Sequence, residues 1–177
     1  MKARPYLVTA FLALLILLAS AVVVAKNREF AAKLSGNNEV PIRVTGAKGE
    51  AEMKVQKQGD RIRFKLEVED VKNLWMAHFH LGAAGTNGPI VVWLLPRQGP
   101  APAQSIPGES DGKIAQGEIT AADLVGPLAG QPLSALIDAI DAGNIYVNVH
   151  TNDFVDPPNT GAGDFPGGEI RGQVHEH

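Results

Sequence analysis

The sequence predicts an all-β domain, a Greek-key sandwich or barrel of about seven or eight strands with a short helical insert near residues 120–143. Apolar and polar residues alternate along several stretches, as they do in strands that bury only one face. Segments rich in glycine and proline separate these stretches and are typical of turns. Only one segment spaces its apolar residues as a helix does. About 150 residues follow the first 25, which is enough for one hydrophobic core.

The strands before the helix follow from this alternation. Residues 90–95 have no polar alternation, so we expect a strand that is buried on both faces. Residues 96–112 contain four prolines and three glycines and are predicted to form an irregular surface loop. The other strands predicted in this half of the chain are residues 29–35, 50–56, 61–69, 75–82 and 113–119.

The helical insert has recognisable start and stop signals. Thr120 can cap a short first turn, which Gly126 and Pro127 then interrupt. Pro132 suits the start of a second helix over residues 133–142, and Gly143 suits its C-terminal cap. We expect this helix to lie on the sheet through an apolar stripe formed by Leu133, Leu136, Ile137 and Ile140. Strands at 144–151 and 169–174 follow, separated by a long loop over residues 152–168.

Polar residues that could form a binding site lie on two of these strands. The chain has five histidines, and three of them lie in the stretches 75–82 and 144–151, on the face opposite the apolar one. The other two, His175 and His177, are at the C-terminus and are predicted to fray. The polar faces carry Met76, His78 and His80 on the first strand and Tyr146, Asn148 and His150 on the second.

This pattern predicts a copper or zinc site. Two histidines at positions i and i+2 of a strand have Cα atoms about 6–7 Å apart, so their rings can converge on one ion. Neutral imidazoles suit copper and zinc, and His78, His80 and His150 are the predicted ligands. Met76 is an additional candidate ligand. Tyr146 and Asn148 are candidates for orienting the ring N–H groups.

A structural role for the same histidines is the alternative that the sequence leaves open. In that case His78, His80 and His150 bond to loop backbone and hold residues 82–89 against residues 152–168. The domain would then be an extracellular adhesion or ligand-binding module.

Other polar residues give little indication of catalysis. Glu169 and Arg171 are predicted to be outward neighbours on the last strand that form a structural ion pair, and Glu39 is expected to play a structural role after a turn. No nucleophile–base pair, phosphate loop or carboxylate dyad is recognisable in the sequence. We therefore favour a non-catalytic module over an enzyme.

The N-terminus predicts export. A charged start, residues 1–5, precedes an apolar run over residues 6–25 that contains Ala-Ser-Ala at 19–21. This arrangement favours a cleaved signal peptide over residues 1–25, with an uncleaved membrane anchor as the alternative. The domain itself is predicted to span residues 29–175, in a secreted, periplasmic or otherwise extracytoplasmic location.

Composition narrows the partners. The chain has no cysteine, which excludes disulfides and a lipoprotein anchor. Its formal net charge of −3 makes nucleic acid a poor candidate partner. A metal ion is the predicted partner, an extracellular protein or surface is a second candidate, and a membrane is expected only if the N-terminal segment stays uncleaved.

Several motifs, in their order and spacing, resemble the CHRD domain, a module named after chordin. The resemblance covers residues 30–174 and implies an extracytoplasmic β-sandwich of immunoglobulin-like or Greek-key topology. The motifs are Leu-Ser-Gly at 34–36, Asn-Glu-Val-Pro at 38–41, Ala-His-Phe-His-Leu-Gly at 77–82, Asn-Gly-Pro at 87–89, Tyr-Val-Asn-Val-His-Thr at 146–151 and Pro-Gly-Gly-Glu-Ile-Arg-Gly-Gln at 166–173.

The chain is also distantly similar to copper–zinc superoxide dismutase, a Greek-key barrel with a His-x-His pair on one strand and a further copper-binding histidine on a neighbouring strand. His78, His80 and His150 match that pattern. No mid-chain histidine remains to bridge copper to zinc, so the resemblance implies metal binding more than dismutase activity. We therefore expect an exported, non-catalytic metal-binding module first, an adhesion module second and a dismutase-like enzyme third.

Overall fold

The computed structural model describes residues 28–56 and 59–177. The predicted signal or anchor segment therefore lies outside the described residues, as do two residues of the predicted turn at 57–60. In the described part, β-strands dominate and one α-helix, α1 (Leu133–Asp141), is present. The strands are β1 (Glu29–Ser35), β2 (Lys48–Val55), β3 (Ile62–Leu81), β4 (Ile90–Leu95), β5 (Ile106–Ile119), β6 (Ile145–Thr151), β7 (Ile170–Gln173) and β8 (His175–Glu176). The predicted all-β sandwich or barrel is confirmed.

The sheet is antiparallel and closes on itself. Its strand order is β2–β1–β7–β6–β3–β4, and β2 also pairs with β3, which closes a small barrel. Strand β5 pairs with β3, and β8 pairs with β1. Because β3 pairs with β2 and β5 along its first half and with β6 and β4 along its second half, it connects all parts of the sheet.

Strand β3 is one strand of 20 residues, where the sequence predicted two strands with a connection between them. That prediction was wrong because the presumed connection forms a distortion within the strand. Asp70 and Asn73 have φ values of 59° and 48°, and the pairing with β5 shifts register on either side of them. Asp and Asn tolerate this left-handed conformation better than most residues, so the strand continues past them.

The predicted surface loop over residues 96–112 is shorter than expected. Strand β5 begins at Ile106, which pairs with Leu74 of β3. The proline and glycines that suggested a loop are tolerated here because β5 is an edge strand, paired to β3 alone among the described strands. Gly108 and Gly112 adopt positive φ within it.

The helical insert matches its prediction closely. Thr120 and Asp123 form a capping box at a 3₁₀ turn over Ala121–Asp123, and a second 3₁₀ turn spans Gly126–Leu128. Pro132 directly precedes α1, and Gly143 after it has a φ of 70°. The helix buries Leu133, Leu136 and Ile140 as expected, while Ile137 packs partly exposed against the core.

Strand β6 is buried on both faces along its whole length. Its inward face contributes Ile145, Val147 and Val149 to the hydrophobic core of the barrel. Its outward face carries Tyr146, Asn148 and the third histidine, and that face is buried as well. The candidate residues are thus outside the core but not at the surface. Among the described residues, no helix is long and apolar enough to span a membrane.

Candidate metal centre

The pairing of β3 with β6 brings the predicted residues side by side. His78 lies opposite Asn148, His80 opposite Tyr146, and Met76 opposite His150. All six are buried. Since residues two apart on a strand share a face, these side chains form one polar patch on the outer side of the barrel wall.

The three histidines form a compact cluster within that patch. One ring nitrogen from each of His78, His80 and His150 lies within 4.8 Å of the others. The closest pair, Nδ1 of His78 and Nε2 of His150, is 3.1 Å apart. Two nitrogens that bind one tetrahedral zinc ion at 2.0–2.1 Å are about 3.3 Å apart, so this spacing is already close to that of a shared ion.

Backbone carbonyls fix the orientation of two of the rings. Nδ1 of His80 is 2.9 Å from the carbonyl oxygen of Gly88, and Nδ1 of His150 is 3.0 Å from that of Pro166. Each Nδ1–H therefore donates to a carbonyl, which leaves the lone pair of a neutral ring on Nε2. This is the arrangement in which histidines commonly bind metals, with one nitrogen held by an outer partner and the other free.

The remaining ring nitrogens are incompletely paired. Nε2 of His150 accepts from Nδ1–H of His78, whereas Nε2 of His78 and Nε2 of His80 are buried without a hydrogen-bond partner among the described residues. An unpaired buried polar atom costs about 1–3 kcal/mol. Binding an ion would use the Nε2 of His80. An ion bound to Nδ1 of His78 would also require that ring to move its proton to Nε2.

The hydrogen bonds of His80 and His150 also attach two loops to the strands that carry these histidines, which is the role proposed in the structural alternative. Gly88 belongs to the loop after β3, and Pro166 to the long loop after β6. The histidines therefore do tether both loops to the barrel wall. A tethering role accounts for the Nδ1 atoms of His80 and His150, but it leaves the Nε2 of His80 without a function.

Tyr146 supports His80 through a glycine. The two rings stack with centroids 4.9 Å apart and an interplanar angle of 7°. The Tyr146 hydroxyl accepts from the N–H of Gly88, whose carbonyl accepts from His80. Gly88 has no room for a side chain, because a Cβ there would lie 1.7 Å from the carbonyl oxygen of Leu81. Tyr146 is thus linked to the His80 ring N–H through Gly88.

Asn148 makes no hydrogen bond to a histidine in the described structure. Its Oδ1 is buried and unpaired, and it lies between His78 on β3 and Arg171 on β7 in the strand register. A Cβ at Gly168, where φ is 124°, would come within 2.6 Å of the Asn148 amide. The close approach of this glycine loop is what buries Asn148.

Burial keeps the cluster uncharged. Desolvation lowers the pKa of His78 to about 2, and repulsion from His150 and His80 adds to the effect. Desolvation likewise lowers the pKa of His150 to about 4, although its bond to Pro166 opposes the shift. The pKa of His80 is lowered by the same cause, opposed by the Gly88 carbonyl and assisted by the charge of Arg171. Neutral rings are the form that binds metal.

The predicted ion pair between Glu169 and Arg171 does not form, and neither residue faces solvent. Glu169 is 0 % exposed and accepts hydrogen bonds from the hydroxyls of Thr45 and Thr151 and from the N–H of Gly163. The prediction failed because loops cover the outer face of β7. A strand pattern alone cannot show such a covering.

Arg171 is part of the surroundings of the cluster, which the sequence did not indicate. It is 2 % exposed, and its guanidinium carbon lies 3.4 Å from the centroid of the Tyr146 ring. It donates to Asn87 Oδ1 and to the carbonyl of Ala83. The guanidinium, Tyr146 and His80 therefore form a continuous stack behind the site.

Glu39 is also buried near this stack. Only 4 % of it is exposed, and burial raises its pKa to about 7, against the lowering effects of Arg171, Arg43 and Asn148. Its Oε1 lacks a hydrogen-bond partner among the described residues. It is not a member of the histidine cluster.

The C-terminal histidines lie at a short strand that pairs with β1. His175 lies in β8 and pairs with Ala31 of β1, and the backbone N–H of His177 donates to Glu29. The chain end thus adds a short strand to β1, which the sequence pattern did not predict. Both histidines are exposed, and neither belongs to the histidine cluster.

Comparison with known families covers the motifs up to residue 151 but not the one at 166–173. The model of the CHRD domain matches residues 30–157, which include all three clustered histidines. The chain belongs to the CHRD domain family. CHRD domains are typically extracellular β-modules. No curated protein and no solved structure matches the chain. Strand β7, which carries Arg171, lies beyond the matched residues although it belongs to the sheet of this chain.

The lowered histidine pKa values predict a loss of stability in mild acid. The pKa of His150 is 6.5 unfolded and about 4 folded, so the unfolded chain binds more protons between these values. The contribution of His150 to the free energy of unfolding should be complete above pH 6.5 and fall by roughly 3 kcal/mol as the pH drops towards 4. Urea denaturation with a metal chelator present, repeated across this range, measures the effect.

Two variants separate this contribution from others. His150→Gln removes one titrating ring and should make the acid limb shallower, with the remaining slope coming from His78 and His80, whereas His175→Gln, at an exposed histidine outside the cluster, should leave the limb as in the wild type. Glu39 contributes with the opposite sign. Its folded pKa of about 7 lies above the ordinary 4.5, so its contribution is complete below 4.5 and is lost as the pH rises through 7. Equal acid slopes for wild type and His150→Gln would show that folding does not lower the pKa of His150.

Proposed function

We propose that this CHRD domain is an exported, non-catalytic module that binds one copper or zinc ion through His78, His80 and His150. The observation that supports it best is the convergence of three neutral, buried imidazoles, with ligand atoms within 4.8 Å and two of their outer nitrogens held by backbone carbonyls. Such a preorganised set of nitrogen donors favours copper or zinc over magnesium or calcium, which prefer oxygen ligands.

The proposed ligand set is the three histidines, with Met76 as an additional candidate. Met76 is 7 % exposed and lies opposite His150 in the strand pairing. Its thioether would add a soft donor to the imidazoles. Tyr146 and Asn148 would act around the ligands, Tyr146 through Gly88 and Asn148 as a buried amide beside His78.

Direct titration tests the metal site. The background should carry His175→Gln and His177→Gln, here called the tail variant, which removes the terminal imidazoles without deleting β8. We expect one equivalent of Zn(II) or Cu(II) to bind and to raise the melting temperature, since the unfolded chain cannot gather these ligands. His80→Gln keeps an amide near the Gly88 carbonyl but removes the imidazole ligand. It should lower the metal affinity by at least the roughly 10- to 100-fold that is typical for loss of an outer-shell partner.

A matched control addresses weak surface binding. Asp70, Glu109 and Asp111 form an exposed acidic cluster that can attract divalent ions without being a specific site. Asp111→Asn in the tail variant should therefore leave the affinity unchanged. Equal affinities for the tail variant and its His80→Gln derivative would reject the proposed site.

Export is the second part of the proposal. It rests on the charged and apolar N-terminal segment and on the typically extracellular occurrence of CHRD domains. N-terminal sequencing of the protein from its native compartment should give a chain that begins at Val22 or Lys26. An intact Met1 on a membrane-bound protein would reject cleavage, and a cytoplasmic location would reject export.

An extracellular adhesion or ligand-binding module with structural histidines is the second candidate. It is favoured by the two bonds that tether the loops around Gly88 and Pro166 to the barrel wall. In this case the histidines serve to hold the loops in position, and the domain binds its partner without a metal ion. Absence of histidine-dependent metal binding in the titration would make this the better proposal.

A further inference from the structure

We propose that the three-histidine site prefers the monovalent ion Cu(I) over Cu(II) and Zn(II). This inference rests on the proposed metal site and concerns which ion it holds. Three features of the charge around the cluster favour a monovalent ion.

The ligands themselves carry no negative charge. Among the described residues, no carboxylate joins His78, His80 and His150 in their cluster. A divalent ion bound there would keep its full charge of +2, and a monovalent ion its charge of +1. The chain has no cysteine that could supply a thiolate.

The site is also largely closed to water. His78 is 0 % exposed, His80 8 % and His150 6 %. Trp93 meets the His78 ring edge to face, with centroids 4.2 Å apart, and the loops held at Gly88 and Pro166 cover the other side. The cost of removing an ion from water grows with the square of its charge, so it is about four times larger for a divalent than for a monovalent ion of equal size.

A buried cation lies behind the ligands. The Arg171 guanidinium stacks on Tyr146, which stacks on His80. None of the salt bridges formed by the described residues includes Arg171, which is held by neutral oxygens of Asn87 and Ala83. Its repulsion is twice as large for a divalent as for a monovalent ion. The nearby carboxyl of Glu39 offsets this only in part, because burial raises its pKa to about 7.

The chemistry of the donors agrees with this charge argument. Cu(I) accepts two or three ligands, so three imidazoles can complete its coordination without a bound water. A soft thioether such as that of Met76 also favours Cu(I) over harder ions. Zn(II) with three histidines usually takes a water as fourth ligand, and a buried site accommodates that water less easily.

The test compares three ions on the tail variant. Cu(I) affinity is measured without oxygen, by competition with a chromophoric Cu(I) chelator, and Cu(II) and Zn(II) affinities by competition with chelators of their own at the same pH. We expect Cu(I) to bind at least tenfold more tightly than either divalent ion. The bound copper couple should accordingly lie at a higher potential than the free-ion couple, by about 59 mV per tenfold difference.

Charge variants show whether electrostatics is the cause. Asn148→Asp places a carboxylate beside His78 and should reduce the ratio of the Cu(I) affinity to the affinities for the divalent ions. The control Gln116→Glu adds a carboxylate at an exposed site on β5 and should leave this ratio unchanged. If Asn148→Asp does not fold, Arg171→Gln should narrow the preference too, and Arg171→Lys should retain it.

The outcomes separate this inference from the proposed function. Binding of Zn(II) or Cu(II) more tightly than Cu(I) would overturn the inference and leave the metal site standing. Failure of all three ions to bind would overturn the site itself. An unchanged preference in a folded Asn148→Asp or Arg171→Gln protein would reject the electrostatic explanation.

Discussion

Loops cover the outer faces of β3 and β6, and the rest of the structure depends on this covering. Those faces carry polar side chains, and burying a polar group without a partner costs a few kcal/mol. The loops offset part of this cost by supplying backbone partners, Gly88 to His80 and Tyr146, and Pro166 to His150. The polar patch therefore orders the loops, and the loops in turn make the patch a dry, fixed set of imidazoles.

Glycine is needed wherever this covering comes closest. Gly88 and Gly168 both approach so near that a Cβ would clash, with the Leu81 carbonyl in one case and with the Asn148 amide in the other. This explains physically why the motifs at 87–89 and 166–173 place glycines beside the strands that carry the histidines. These two motifs therefore have the same structural role, because each supplies a glycine-containing loop that covers the polar face of the barrel.

Much of this arrangement was predictable from local sequence pattern. Alternation placed β1 and β6 almost to the residue, and helical spacing placed α1. It also placed the internal histidines on the faces opposite the core, where the structure has them. These features depend on the period of a single element, so a single stretch of sequence contains the information.

The features that were missed depend on contacts between distant segments. The continuity of β3 through Asp70 and Asn73 is fixed by its pairing with β5, which local turn preferences oppose. The burial of Glu169 and Arg171 depends on loops that are far away in sequence. The lowered histidine pKa values follow from the same covering, so the alternation of the strand could not reveal them.

The central claim is that His78, His80 and His150 together hold one ion, and X-ray absorption spectroscopy of the metal-loaded tail variant tests it most directly. The account predicts about three nitrogen neighbours at roughly 2.0 Å, with the outer-shell scattering that is characteristic of imidazole rings. A shell made mainly of oxygen, or one with a single imidazole, would contradict it, because the ion would then be held at the protein surface rather than by the cluster.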